Sequence, residues 1–437
     1  MNKRKLFRTV VELGKDILIL LLTLSAVWLL FRSPMVSVLD GLLTEEEPQI
    51  SMGQIQTEAR AEAARPLRMT AMLPGGGQAA RYGVQYDEAA CDALFQQVAG
   101  LLREVLSSAG QPEQISRSRW ETALSVAPSV CFDFQGELPL SVLAGWLSGE
   151  PGELTAPVRR VALSLWESSI ALYYRDETTG SYYRCRSEVA DPVRLEDALA
   201  GLSGNGIYYA FESDQYRMLD PDTMLGTRVS EFDLYSVTNP VTGGRDELEQ
   251  LADELKFSIN ANGVYYAGEW VARSDNDTLR LSDGGTADYM AGSRESIHFL
   301  VAGDTLFDRV ETCRQLAVTA LGARSGQARL YLLSAKETEA GTDIRFGYSI
   351  NGIPVLMKEE YAARFLVANG RVIDFTLHFR SYDDAGVDGS VLPAVQAAAA
   401  LEAMGLTGEE LALVYLEQED ERVAAGWVAA GHSTGER

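Results

Sequence analysis

Residues 17–31 read ILILLLTLSAVWLLF, an uncharged run near the start of the chain, with most of the sequence following it. Such a run decides which solvent the rest of the chain meets. A helix needs ~20 apolar residues to cross a bilayer core, and ~17 are tolerated. The run therefore spans only if residues 10–15 are recruited and the charges of Lys15 and Arg32 snorkel to the interfaces. Lys3, Arg4, Lys5, Arg8 and Lys15 precede the apolar core, and basic residues beside a span stay in the cytoplasm. A single-pass cell-membrane protein is expected, with a cytoplasmic N terminus and an extracytoplasmic C-terminal region. The competing reading, a cleaved signal peptide, needs a small-x-small site. RSPMVSVLDG after Phe31 holds no A-x-A-like triplet. A buried core helix would show polar punctuation at helical spacing, and only Thr23 and Ser25 interrupt the run.

In lipid there is no hydrophobic drive between helices, so association relies on close packing at small residues and on interhelical hydrogen bonds. At ~100° per residue, Gly14, Leu18, Leu21, Ser25 and Leu29 fall on one stripe, with Gly14 and Ser25 its smallest members. That stripe is the candidate partner-binding face. The bland alternative is a passive anchor in which Ser25 bonds its own helix carbonyl.

At 437 residues, 46% hydrophobic and 9% aromatic, the chain has room for two or three domains with substantial cores. Residues 1–32 carry six basic and two acidic side chains, so of the net −24 the remainder holds −28. An acidic region of that size repels nucleic acid and anionic lipid surfaces, so no nucleic-acid partner is expected. Cys91, Cys131, Cys185 and Cys313 are far apart, with no CxxC and no His at metal-ligand spacing, so no metal or redox centre is indicated. Cys91 and Cys313 fall on apolar helix faces and read as small buried residues. Cys131 and Cys185 sit in strand-like runs and could pair outside the membrane.

The order of elements gives an α+β class: a single N-terminal transmembrane helix, then a multi-domain mixed α/β extracytoplasmic region with antiparallel sheets. Residues 1–32 form the cytoplasmic start and span, and 33–66 a Pro-punctuated stalk with a helix near 54–64. Three α+β domains follow, at 67–191, 192–303 and 304–437. In the first, strands at 67–73 and 81–86 flank a Gly75 to Gly77 turn. Asp87 then caps a long helix with apolar residues at i, i+3, i+4, i+7 and i+8. Strands at 129–134 and in VRRVALSLW, a helix at 140–147, and a hairpin turning on Thr178-Thr179-Gly180 complete it. The middle domain holds NGIYYA and NGVYYA strand starts, a helix over 245–255 and a hairpin at Asp283-Gly284-Gly285. The last opens on a Thr305/Asp308 capping box for a helix to Leu321. It continues with a helix from a Ser390 cap to Met404 and closes on LALVYL and AGWVAAG.

Register can also be argued here. A two-residue Asn351-Gly352 turn pairs Ile350 with Ile353, Tyr348 with Val355 and Phe346 with Met357. At Asn369-Gly370, a three-residue loop 368–370 with Gly370 left-handed pairs Phe365 with Ile373, Ala363 with Phe375 and Arg364 with Asp374.

No catalytic signature stands out: none of the 62 acids is nominated as a pair, and no catalytic, cofactor-binding or metal-binding residue is named. His298, His378 and His432 read as surface or structurally satisfied. Gly75 to Gly77 lacks a P-loop's Lys and Ser/Thr, and GLSGNG lacks GxGxxG spacing. Asp275 with Asp277, and Asp383 with Asp384 and Asp388, lack the mid-loop glycine and closing glutamate of an EF-hand and read as solvated loops.

The chain resembles the YycH (WalH) family and, more distantly, YycI. The resemblance rests on the short basic start and span, on Pro66-Leu67 opening the first strand, and on VCFDFQGELPLSVL at 130–143. LRLSDGGTADY at 279–289, GYSINGIPV at 347–355 and the closing VYL with GWVAAG around Trp427 extend it. Each motif is weak alone; their order along nearly the whole chain is more specific. The resemblance implies a three-part α+β ectodomain whose last two parts are alike, no enzymatic activity and no cofactor. It also implies regulation of a sensor histidine kinase of the YycG (WalK) type in cell-wall homeostasis. Contact with the kinase and with a YycI-like single-span protein would run largely through the transmembrane helix. The very acidic, Arg-rich, Lys-poor ectodomain and short span depart from the family pattern. The rival reading is an anchored cell-envelope enzyme or glycan-binding module, hinted at by the Tyr pairs at 173/174, 182/183, 208/209 and 265/266. Strand alternation would put one Tyr of each pair outward.

Overall fold

The computed structural model describes residues 60–74, 80–189, 191–227, 231–293, 296–418 and 420–430. The expected span with its stripe Gly14, Leu18, Leu21, Ser25 and Leu29, most of the stalk, the Gly75 to Gly77 turn and His432 lie outside the described residues. Among the described residues, no helix is long and apolar enough to cross a membrane. Residues 60–63 are helical, and the segment to Pro66 is docked on the body: Ala64 is fully buried and Arg65 reaches Asp92 at 2.6 Å.

Apolar alternation builds β1 (Arg68–Met72) and β2 (Arg81–Val84), which pair antiparallel. The Asp87 carboxylate then accepts from the Ala90 amide at 2.9 Å and starts α1 (Glu88–Ser107), whose periodic stripe from Cys91 to Val105 is buried as its spacing requires. There follow β3 (Glu113–Ile115), α2 (Arg117–Ser125), β4 (Ser129–Pro139), α3 (Leu140–Ser148), β5 (Pro157–Trp166), β6 (Ser169–Arg175) and β7 (Tyr182–Arg186). The first sheet has the order β2-β1-β4-β5-β6-β7-β3, antiparallel throughout. Helix α1 covers one face, with Phe95 edge-on to Phe132, and α2 covers the other through Trp120, Ala123 and Leu124.

That double cover corrects one expectation, for the Tyr pairs, and the strand register decides the cysteine pairing that the sequence left open. Tyr173 and Tyr174 are both buried, because at β6 both faces of the sheet are covered. Only at 208/209 is one Tyr buried and the other half-exposed; 182 and 183 are both half-buried, and 265 and 266 both exposed. Cys131 and Cys185 do not pair, and all four cysteines are free and buried. Cys131 shares a cross-strand row with Ala162, Tyr173 and Arg184, whereas Cys185 shares the neighbouring row with Leu172, Leu163 and Val130. Adjacent rows point to opposite faces, so the thiols cannot meet.

After α4 (Val193–Ala198), a short ribbon of β8 (Tyr208–Tyr209) and β9 (Met224–Leu225) leads to β10 (Glu231–Thr238). A helix followed by a four-strand meander then occurs twice. The first is α5 (Arg245–Glu254) with β11 (Val264–Tyr266), β12 (Trp270–Ser274), β13 (Asp277–Leu281) and β14 (Thr286–Met290). The second is α6 (Leu306–Leu321), begun by the expected Thr305/Asp308 box, with β15 (Arg329–Thr338), β16 (Gly341–Ile350), β18 (Ala363–Ala368) and β19 (Arg371–His378). The meanders join edge to edge through β14 and β19. β17 (Ile353–Leu356), β20 (Ser381–Ser390), α7 (Ala394–Ala403), β21 (Glu410–Glu417) and β22 (Arg422–Ala430) complete the chain, with β10 held between β20 and β22. Strands from the segments read as middle and C-terminal domains thus share sheets. Among the described strands the pairing is antiparallel except where β15 meets β4 and β17 meets β21; an isolated parallel bridge also joins Gly326 to Tyr382.

Three local expectations change. Ile350 faces Ile353 as expected, but β17 then leaves to pair parallel with β21, so Val355 faces Tyr415 and Phe346 faces Ala363. At Asn369-Gly370 the turn has two residues, with Ala368 opposite Arg371, and the irregularity lies between Leu366 and Val367. Phe365 therefore faces Phe375, Ala363 faces Leu377 and Arg364 faces Thr376, while Arg364 keeps a 3.7 Å diagonal contact with Asp374. Both turn residues are left-handed, which Asn and Gly tolerate best. Finally, Ser390 ends β20, and the α7 cap is Pro393. Proline disfavours helix in the residue before it, so α7 cannot start earlier. Gly370 has φ +71° with open space around a built Cβ. Gly370→Val is accordingly expected to cost about 1–2 kcal/mol from backbone strain alone, read as a lower urea midpoint with an unchanged m value.

Candidate functional site

Charged residues inside apolar strands need partners, and β1, β4 and β5 carry such residues in one row: Arg68 opposite Asp133, and Asp133 opposite Arg160. Glu410, at the start of β21, closes over the row. Arg68 donates to Asp133 Oδ2 at 2.6 Å and to Glu410 Oε1 at 2.7 Å; Arg160 donates to the same two carboxylates at 2.9 and 2.6 Å. Arg159 lies 3.0 Å from Glu410 Oε2, and Gln135 donates both its backbone and side-chain N–H to Asp133 Oδ1. Burial alone would raise both carboxyls. Arg160, Arg68 and Arg159 nevertheless hold Asp133 well below the usual range and Glu410 down to about 2. Five charged side chains from four strands thus tie the first sheet to the last strands of the chain.

Next to this cluster opens a cleft of about 1050 Å³, lined by residues 82–87, 205–208, 225–227 and 393–395 together with Ala90, Tyr216 and Trp427. β2 forms one wall, the β8/β9 ribbon another, and the start of α7 with Trp427 the third. Gly83 lets the walls approach: a Cβ there would overlap the Ile207 side chain. Tyr86 joins cleft and cluster. It sits at φ 63°, its ring packs edge-on to Phe232 at 5.6 Å, and burial pushes its hydroxyl up to about 12 against the pull of Arg68. Trp427 is anchored by an Nε1–H bond to the Leu392 carbonyl at 2.7 Å. Gln85 donates Nε2 to Thr227 Oγ1 at 2.9 Å, while its Oε1 is buried without a partner among the described residues.

Asp222, beneath α2, accepts from Trp120 Nε1 at 3.0 Å. Burial raises its carboxyl to about 6, Arg160 pulls it down, and Asp220 adds to the rise. A carboxyl with a folded pKa above its unfolded ~3.9 contributes stability that is complete below about pH 4 and lost as pH rises through about 6. Asp222→Asn keeps the acceptor but cannot ionise. Relative to this variant, the wild type is expected to lose on the order of 2 kcal/mol between pH 4 and 7 in urea titrations.

Elsewhere, Ser274 Oγ lies 2.9 Å from His298 Nε2, a nucleophile–base spacing. The adjacent Asp277 is engaged instead by Tyr289, Ser296 and the Gly292 amide, so among the described residues it does not orient the imidazole. Asp277 is thus buried and bonded, not in the solvated loop expected for it. Asp383, Asp384 and Asp388 are exposed, though within β20. His378 is buried, its Nδ1 3.4 Å from Thr286 Oγ1, and burial lowers its pKa. Among the described residues, no three His, Cys, Asp or Glu side chains are placed to hold a metal. The sequence offered a signal for the ion cluster, since Arg68, Asp133 and Arg160 interrupt apolar strands. Glu410 and the cleft had none.

No family model matches the chain, and no curated protein matches its sequence. Among solved structures it is similar to YycH from Bacillus subtilis, at 10% identity and a TM-score of 0.51 over 84% of this chain and 94% of that one. A dehydratase domain from the CurF module of curacin polyketide synthase, at a TM-score of 0.15, carries no weight. The described part of the chain has a YycH-like fold.

Proposed function

We propose that the chain is a membrane-anchored, extracytoplasmic regulator of a YycG (WalK)-type sensor histidine kinase in cell-wall homeostasis, without catalysis of its own and in company with a YycI-like single-span protein. The observation that carries this reading is the YycH-like fold, matched over most of both chains. The basic start, apolar run and acidic remainder support it, because they give the polarity a kinase partner in the same membrane requires. Contact is assigned to the stripe Gly14, Leu18, Leu21, Ser25 and Leu29, where small residues permit close helix packing. The test is co-purification of the full chain with the kinase from membranes, together with kinase autophosphorylation in proteoliposomes. Wild type is expected to co-purify and change the rate. Ser25→Leu is expected to insert normally yet weaken association, and Thr23→Leu to do less. A kinase that neither co-purifies nor changes rate sinks the reading; equal recovery of both variants sinks only the stripe.

A further inference from the structure

From the cleft between β2, the β8/β9 ribbon and α7, we infer a binding site for an uncharged oligosaccharide. The inference is independent of the kinase reading, since it rests on the wall chemistry alone. Tyr82, Tyr86, Tyr208 and Trp427 present aromatic surface from three separate elements, and each is only partly buried. Aromatic side chains offer a broad apolar face and a polar tip, which suits a ligand with C–H faces and a hydroxyl rim. Trp427 is held in place by its bond to Leu392, so that face is set before any ligand arrives.

The charges in the walls narrow the ligand further. Among the described residues that line the cleft, Asp87 is the one acid and there is no Lys or Arg; the Asp87 carboxylate is already spent on the α1 N terminus. Among those described residues an anionic ligand finds no counter-charge, and the net charge of the chain repels it. An extended peptide adding to the free edge of β2 is disfavoured as well. Asn205 donates Nδ2 to the Gly83 carbonyl at 2.7 Å and accepts from the Gly83 amide at 3.1 Å, and its own amide bonds the Arg81 carbonyl. That edge is closed by a side chain imitating a strand.

Gln85 supplies the second observation. It is 6% exposed, and one end of its amide bonds Thr227 while the other has no partner among the described residues. The same holds whichever way the amide is turned. A buried amide end in a cleft wall is the kind of convergent polar group that orients a neutral ligand. The volume of about 1050 Å³ lies at the upper end for small-molecule sites, enough for several linked rings. The left-handed Tyr86 adds backbone strain at the same wall, a feature that gathers at ligand sites.

The test uses the full chain in nanodiscs with two probes, the tetrasaccharide of N-acetylglucosamine and cellotetraose, and an uncharged hexapeptide for comparison. Saturation-transfer NMR and intrinsic fluorescence are expected to show saturable binding of at least one sugar at or below the order of 1 mM. Val395→Trp adds bulk at a 48% exposed position in the cleft mouth and is expected to abolish binding with the melting temperature unchanged. Gln85→Leu is expected to weaken it roughly tenfold. No binding of either sugar, sugar binding indifferent to Val395→Trp, or hexapeptide binding that Val395→Trp removes would each overturn the assignment.

Discussion

Glu410→Ala is expected to destabilise the folded chain by about 3–5 kcal/mol, because it strips one carboxylate from a cluster in which only Arg159 is partly exposed and leaves Arg68, Arg159 and Arg160 facing Asp133 alone. The cost is not that of one hydrogen bond. Three guanidinium groups lose contacts of 2.6, 2.7 and 3.0 Å at once, two of them from buried Arg68 and Arg160. Equilibrium urea unfolding at pH 7 reads it directly, and a loss below about 1 kcal/mol would mean that water fills the gap. The pH dependence gives an independent sign. Glu410 sits near 2 when folded against ~4.3 when unfolded. Its contribution is therefore complete above about pH 4.3 and is lost as pH falls through about 2. The stability difference between wild type and Glu410→Ala should shrink over that acidic interval, opposite in direction to the Asp222 effect between pH 4 and 6.

The second large effect is expected at Gly136, where β4 meets β15. A Cβ there would fall on the Leu332 backbone carbonyl, which has no flexible end to move aside. Gly136→Ala should cost about 3 kcal/mol or more by forcing the two strands apart at the point where Ser334 pairs with Glu137. Gly100 is the matched control. It lies inside α1 with nothing within 4 Å of a built Cβ, so Gly100→Ala should stabilise by roughly 0.5–1 kcal/mol through helix propensity. The same change at two glycines is thus expected to carry opposite signs. Equal midpoints for the two variants in parallel urea titrations would contradict the strand contact.

The sequence by itself determined the elements whose physics is local. The stripe of α1 repeats every 3.6 residues, Asp87 and the Thr305/Asp308 box sit at the first orphan amides of their helices, and Ile350 faces Ile353 because Asn351-Gly352 admits two left-handed residues. Each depends on neighbours within a few positions. The misread registers failed for the converse reason. β17 leaves β16 after Pro354 because β21, far along the chain, offers a second edge, and Phe365 meets Phe375 because the bulge lies within the β18/β19 pair and not in its turn. The buried Tyr173/Tyr174 pair likewise follows from cover on both faces at β6, and the unpaired Cys131 and Cys185 from a register that puts them on opposite faces, neither of which alternation within one strand reveals. The candidate site is the extreme case. Arg68 and Glu410 are 342 positions apart, and Tyr82, Tyr208 and Trp427 come from three separate stretches. Arg68, Asp133 and Arg160 inside apolar strands carried a signal that the sequence reading did not use. Which carboxylate answered, and which aromatic faces met across a cleft, depended on where distant strands came to rest, because burial and Coulomb attraction act through space and leave no period in the chain.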